Sequence, residues 1–171
     1  MSNEPSAELL LAGDVVALVD AADLAWAQQW RWHAHSHGRG NRYVQRTRTA
    51  ADGPGPDSIT LHRALLCPAE GQNVDHINHD GLDDRRCNLR LATVGENNCN
   101  RRGPQSNNSS GFLGVNFDRR KGRWVAEVWH EGVKRRAGYH RSPIDAAIAR
   151  DALALQLHGA FAALNFPRGP A

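Results

Sequence analysis

"NVDHINHDGLDDRRCNLRLATVGENNCN", residues 73–100, decides how the middle of this chain is read. "NVDHI" alternates as a short strand does, "NHDGLDDRR" is a polar loop around a glycine, and "CNLRLAT" is a second strand. Thr93 and Glu96 then stand in the Thr-x-x-Glu relation of a capping box, which predicts a helix with Asn97 in its first turn. Neighbours on a strand point to opposite faces, so Asp75 and His76 separate. The Asp75 carboxylate and the Asn97 amide oxygen can then meet at a common hard cation, with His76 left as a base. The plainer reading is that aspartate and asparagine cap turns here, as they do in most loops.

Upstream, "LLLAGDVVALV" reads as two short strands joined at Gly13 and Asp14, and Asp20 as the cap of a short helix through "AADLAWAQQW". "RWHAHS" and "NRYVQRTR" flank the Gly-rich "HGRGN" as a hairpin. Trp26, Trp30 and Trp32 fit packing anchors better than a stacking surface for DNA. "DGPGPDS" is a loop, and "LHRALL" beyond it is a short helix or strand.

Charge divides unevenly along the 171 residues. Residues 1–58 sum to −2, residues 59–103 to zero and residues 104–171 to +5. The cationic surface therefore belongs to the C-terminal third and suits a polyanion, although clustered arginines often form only a solvated face. The three cysteines, Cys67, Cys87 and Cys99, form no Cys-x-x-Cys pair and read as reduced thiols. "MSNEPSAE" is polar, and no apolar run matches a signal peptide or a membrane span, so a cytoplasmic protein is expected.

Downstream, "RRGPQSNNSS" holds no apolar side chain and marks a linker, placed at 104–110. "GFLGVNFDRRKGRWVAEVWHEGVKRRAGYHR" then reads as three strands punctuated by Gly114, Gly122 and "HEGV". In "RWVAEVW", Trp124, Ala126 and Val128 alternate with Arg123, Val125, Glu127 and Trp129, giving one core face and one charged, aromatic-edged face. Ser142, Pro143 and Asp145 open a helix that Gly159 closes. Alanine on all sides of it leaves its buried face unselected and permits close approach to the sheet. The expected class is α+β: a small β-rich region at 1–58, a strand-strand-helix finger at 59–103, and a separate three-stranded antiparallel sheet packed on one helix at 111–167.

Two resemblances follow from these motifs. "VDHINHDGLDDRRCNLRLATVGENNCNR", preceded by "LHRALL", resembles the HNH (ββα-metal) motif of phage and intron-encoded homing endonucleases. The resemblance implies one divalent metal held by Asp75 and Asn97, His76 as general base, and Asn88 bracing the loop that orients His76. Asp84 stands where such proteins often have asparagine and receives no catalytic role, and His79 reads as loop surface. "GFLGV", "RWVAEV", "AGYH", "DAAIARDALALQLHG" and "AALNFP" resemble the APETALA2-type DNA-binding domain, also found fused to HNH nucleases in phages and bacteria. In that family the sheet lies in the DNA major groove. Matching faces would turn Asn116, Arg119, Arg120, Arg123, Glu127, Trp129, Lys134 and Arg136 toward DNA, with Trp124 and Val128 on the helix. Asn116 and Trp129 depart from the arginines of the plant pattern, which puts the plant base preference in doubt.

The implied activity is metal-dependent hydrolysis of a DNA phosphodiester, nicking one strand as a monomer on double-stranded DNA. A neutral imidazole can take the proton of the attacking water, and the metal neutralises charge on the phosphate. One carboxylate and one amide make a sparse cage, which suits Mg2+, with Mn2+ second, completed by water and phosphate. Structural zinc lacks its paired Cys or His ligands. The competing class is a sequence-specific DNA-binding regulator whose finger is inactive. RNA binding draws on the same basic sheet, but an A-form major groove is too narrow for such a platform.

Overall fold

A computed structural model describes residues 5–36, 41–99 and 108–166 of the chain, which divides into two units at 1–94 and 95–171. The architecture is α+β, with several small antiparallel sheets and few helices among the described residues. No helix among the described residues is long and apolar enough to cross a membrane.

The first unit opens with a hairpin of β1 (Ser6–Leu10) and β2 (Val16–Asp20), paired from Ser6↔Asp20 to Leu10↔Val16. The turn uses positive φ at Gly13 and Asp14, residue types that tolerate the left-handed region. Helix α1 (Ala21–Ala27) follows at once. Asp20 occupies its N-cap position without a side-chain cap bond, because the carboxylate instead accepts from the Arg86 backbone N–H at 2.8 Å.

Strands β3 (His33–Ser36), β4 (Arg42–Thr47) and β5 (Ser58–Thr60) form an antiparallel sheet in that order. The connection at 37–40, the Gly-rich segment of the expected hairpin, lies outside the described residues. "LHRALL" is helix α2 (Leu61–Leu66). The decisive stretch forms β6 (Asn73–His76) and β7 (Leu89–Ala92), paired antiparallel, and then α3 (Val94–Cys99).

One core serves the whole first unit. Leu9, Leu11, Ala17, Val19, Ala27, Trp32 and Val44 cluster with Leu61, Leu65, Val74 and Leu89. The boundary expected at residue 58 is therefore absent: β5 crosses it, and the β-rich region and the finger bury each other's apolar side chains. Among the described residues neither segment has a separate core of its own. The tryptophans are packing anchors. Trp32 is 1 % exposed and donates its indole N–H to the Ala27 carbonyl at 2.8 Å, while Trp26 meets Trp30 edge-on at 4.9 Å. Arg46 lies over Trp30 and Trp32 and is held by both oxygens of Asp52 at 2.7 and 2.6 Å.

The β6–β7 loop is fixed from outside as well as from within. Leu18 on β2 donates its N–H to the Leu82 carbonyl and accepts from the Asp84 N–H, both at 2.8 Å. On another side the loop touches β4, where a Cβ on Gly81 would fall 2.2 Å from the Arg42 carbonyl oxygen and 2.5 Å from the Tyr43 ring.

In the second unit β8 (Val115–Asp118), β9 (Arg123–His130) and β10 (Val133–His140) form an antiparallel sheet ordered β10-β9-β8. Helix α4 (Pro143–His158) packs on it, through a core of Val115, Ala126, Ala146 and Ala147 with Phe112, Trp124 and Ala137 against them. Val128 is buried as well. The helix starts as its sequence dictates: the Ser142 hydroxyl accepts from the N–H groups of Ile144 and Asp145, Pro143 fills the first turn, and Gly159 ends it.

Asp151 gathers the segment after α4 by accepting from the N–H groups of Asn165 and Phe166, and Asn165 reaches Leu113 with its side chain at 2.6 Å. Arg150 donates to the Ala163 carbonyl. Most of the expected linker at 104–110 lies outside the described residues, as does Pro167. Residues 108–110 are part of the folded unit, since Asn108 and Ser110 accept from and donate to the backbone around Phe112 and Val115.

Two expectations follow. Gly81→Ala should destabilise the first unit by about 1–3 kcal/mol, read in urea unfolding, because neither the Arg42 backbone nor the Tyr43 ring can yield the space. In the second unit, burial holds the His158 imidazole below its ordinary value, and His130, stacked 5.4 Å away, adds to the shift. A depressed folded value means that the unfolded chain binds the proton first. Stability is then full above about pH 6.5 and is lost as pH falls through the folded value. Amide signals of α4 should melt earlier at about pH 5.5 than at about pH 7.5, and His158→Phe should flatten that difference.

Candidate functional site

Adjacent residues of β6 send chemistry to opposite faces. Asp75 faces Arg90, its register partner on β7, which donates from Nε and Nη2 to the Asp75 Oδ2 at 2.8 and 2.6 Å. His76 faces the other way, with Nε2 3.0 Å from the Asp84 Oδ1. Both are nearly covered, at 8 % and 5 % exposure.

His76 sits in a cluster assembled from four elements. α2 brings His62, whose ring meets that of His76 edge-on at 4.9 Å and whose Nδ1 lies 3.9 Å from the Asp84 Oδ1. β4 brings Tyr43, 5.6 Å from His62 and 5.7 Å from His76. The loop brings Asp84, which is 0 % exposed. Burial pushes its carboxyl above the usual range, opposed by the hydrogen bond and charge of His76. Ligand atoms of His62, His76 and Asp84 all lie within 4.8 Å of one another, so two imidazoles and a carboxylate converge where a divalent ion could be held.

Neighbouring acids in the loop have a different task. Burial raises the Asp83 carboxyl, but Arg85 donating to both oxygens at 2.7 Å, helped by the Asn78 amide, leaves it below the ordinary value. The Asp80 and Asn78 side chains accept from the N–H groups of Leu82 and Asp80, so the turn-capping reading holds for these residues. Asn88 spans the loop: its oxygen accepts from the Asn78 N–H at 3.0 Å and its amide donates to the Asp83 carbonyl at 2.7 Å. Buried Asn88 thus clamps the chain just after His76 to the chain just before Asp84. His79 is half-buried, with positive φ.

Asn97 is exposed on α3 and falls in the second unit, whereas Asp75 falls in the first. Cys67 and Cys87 are exposed free thiols.

The sheet of the second unit turns Glu127, Trp129, Lys134 and Arg136 to one face, as alternation along β9 and its register with β10 require. Glu127 is half-buried between two cations, 3.3 Å from Lys134 and 3.1 Å from Arg136. Trp129 is 63 % exposed, with the Lys134 ammonium 5.3 Å from its ring. Asn116 is exposed on β8, Arg119 and Arg120 in the turn after it, and Arg123 is half-buried at the start of β9. Tyr139 belongs to this face and was not anticipated. A bulge between Arg136 and Gly138 breaks strict alternation, so that Tyr139, opposite Val125, shares the side of Arg136. Lys121 stands 3.9 Å above its ring and Arg136 5.0 Å from it.

Comparison with known proteins adds little to this geometry. The chain is 35% identical over 83 residues to Protein 3.8 of Escherichia phage T7, covering 48% of this chain. It spans 57% of that relative's length. No family model matches the sequence. No solved structure matches it either.

Proposed function

We propose that this chain is a metal-dependent DNA endonuclease that hydrolyses a phosphodiester bond, with the sheet of the second unit as its DNA-binding surface. The observation that carries the reading is the division at β6, where Asp75 and His76 offer a carboxylate and an imidazole on opposite faces of one strand. In this reading His76 accepts the proton of the attacking water, and Asn88 holds the loop around it. Asp75 would hold the divalent ion, which when bound supplies charge neutralisation at the phosphate. The Arg90 guanidinium now neutralises Asp75, so cation entry requires Arg90 to leave Oδ2 or share the carboxylate. Arg90 would then be available to a phosphate oxygen.

The DNA-binding half rests on charge accounting. Arg46, Arg85, Arg86 and Arg90 of the first unit are each paired with an aspartate. In the second unit Arg119, Arg120, Lys121 and Arg123 make no ion pair among the described residues, and Lys134 and Arg136 share one glutamate. That surplus, interleaved with Trp129 and Tyr139, suits a phosphate backbone. The pairing of Asp75 with Arg90 also favours a second reading, a DNA-binding protein without cleavage activity.

Relaxation of supercoiled plasmid separates the two. With Mg2+ or Mn2+ the chain should produce nicked circles, chelation should stop it, and His76→Ala should abolish cleavage while leaving DNA affinity unchanged. Tight binding with no metal-dependent nicking would establish the second reading. Asp75→Ala should raise the metal concentration needed. If Asp84→Ala does so instead, the ion belongs among His62, His76 and Asp84. Arg119→Ala or Arg120→Ala should lower the salt dependence of binding by roughly one if the side chain meets a phosphate. Wild-type affinity and salt dependence would return both to a solvated face.

A further inference from the structure

Only two of the chain's 21 basic residues are lysine, Lys121 and Lys134, and each sets its ammonium over an aromatic ring of the second unit's sheet. The Lys134 Nζ lies 5.3 Å from the Trp129 ring centroid and 3.3 Å from the Glu127 carboxylate. The Lys121 Nζ lies closer to its ring, 3.9 Å from the Tyr139 centroid, and makes no ion pair among the described residues. Arg136 joins the two ends, 3.1 Å from Glu127 and 5.0 Å from Tyr139. Lys134, Arg136 and Lys121 therefore form one row, drawn from β10 and the turn at 119–122.

Both partners of the closer contact are placed by backbone features. The Asp118 carboxylate accepts from the N–H groups of Arg120 and Lys121 at 3.0 and 3.2 Å, which shapes the turn that carries Lys121. The bulge between Arg136 and Gly138 brings Tyr139 to the side of Arg136, beneath that ammonium. Val125, opposite Tyr139 on this face, is 7 % exposed, so a plainer role for Tyr139 is to cover it. Leucine would cover Val125 as well, but only a ring attracts the cation.

We infer that Tyr139 is a positioning residue for Lys121, holding its ammonium in the row with Arg136 and Lys134 as a preset contact for a backbone phosphate of nucleic acid. The inference rests on the DNA-binding half of the reading above and not on cleavage. An ammonium is a compact point charge that takes a phosphate oxygen without a fixed angle, yet its four-carbon stem samples many rotamers when nothing holds it. Contact with the ring narrows that sampling before the phosphate arrives.

The test uses the full chain labelled with 13C-lysine. Two lysines give two sets of ε-methylene signals, and those of Lys121 are identified by their loss in Lys121→Ala. Without DNA, ring current should move the Lys121 signals upfield in the wild-type chain and in Tyr139→Phe, and they should return to the position of an exposed lysine in Tyr139→Leu. Unshifted Lys121 signals in the wild-type chain would overturn the inference. Binding is then measured on a fluorescein-labelled duplex of mixed sequence over a range of salt. Lys121→Ala should lower the salt slope by roughly one. Tyr139→Leu should weaken binding about 2- to 5-fold, the worth of an exposed cation–ring contact, yet add nothing in the Lys121→Ala background. Tyr139→Phe should bind as wild type. Losses that simply add in the double variant overturn the inference, as does wild-type binding by Lys121→Ala; weakened binding by Arg119→Ala or Arg120→Ala would then keep the DNA-binding reading. A wild-type chain that does not bind the duplex removes that reading and the inference with it. Should Tyr139→Leu not fold, the wild-type Lys121 signals and the salt slope of Lys121→Ala decide.

Discussion

Two backbone hydrogen bonds at Leu18 hold the loop between β6 and β7 in place. The strand β2 donates to Leu82 and accepts from Asp84, so the loop between β6 and β7 is docked along an N-terminal strand. Backbone bonds fix position without depending on side-chain rotamers, and they satisfy polar groups that burial would otherwise strand. Asp20 at the end of the same strand takes the Arg86 N–H, and Asp23 takes the Arg86 guanidinium, which extends the seam. Cut this seam and Asp84 loses its address, and with it the partner of His76. The N-terminal region thereby acquires a purpose that its own composition does not announce: it is the scaffold of the finger.

That dependence explains why the first unit carries so many internal ion pairs. Arg86 with Asp23 ties the β6–β7 loop to α1, Arg46 with Asp52 and Arg85 with Asp83 brace local turns, and Arg90 with Asp75 adds a side-chain bond across the β6–β7 pair. Exposed pairs of this kind contribute little individually. Bidentate and partly buried ones set geometry, because leaving either partner alone is far more costly than forming the pair.

Much of this architecture was legible along the chain. The hairpin at Gly13–Asp14, the strand-loop-strand-helix around Asp75, and the Ser142–Pro143 start of α4 are local, decided by turn chemistry, alternation and capping. The opposite faces of Asp75 and His76 follow from strand geometry alone. What escaped was tertiary. His62 lies on another helix, 14 residues before His76 in the sequence, and the "LHRALL" segment that carries it was noted without assigning the histidine a role. Asp84 looked like one more loop acid, because nothing in "LDDRR" says which aspartate turns inward. Tyr139 was missed because a single bulged residue reverses the face of everything beyond it. The boundary at residue 58 failed for a related reason: a loop rich in glycine and proline looks like a linker, whereas here it returns the chain to the sheet it left.

The same accounting explains where the net charge resides. Sequence sums place −2 in residues 1–58, zero in 59–103 and +5 in 104–171, yet sums do not distinguish spent charge from available charge. In the first unit the arginines at positions 46, 85, 86 and 90 are committed to aspartates, while Arg48 and Arg63 donate to backbone carbonyls. In the second, Arg150 is turned inward to the Ala163 carbonyl, and Glu127 is the acid set between Lys134 and Arg136. One glutamate between Lys134 and Arg136 cannot neutralise both, and it draws them together beside Trp129 and Tyr139. Under the proposed DNA-binding reading, two cations held beside aromatic rings would lower the entropy lost when a phosphate binds, the physical advantage of a preorganised sheet over a flexible basic tail.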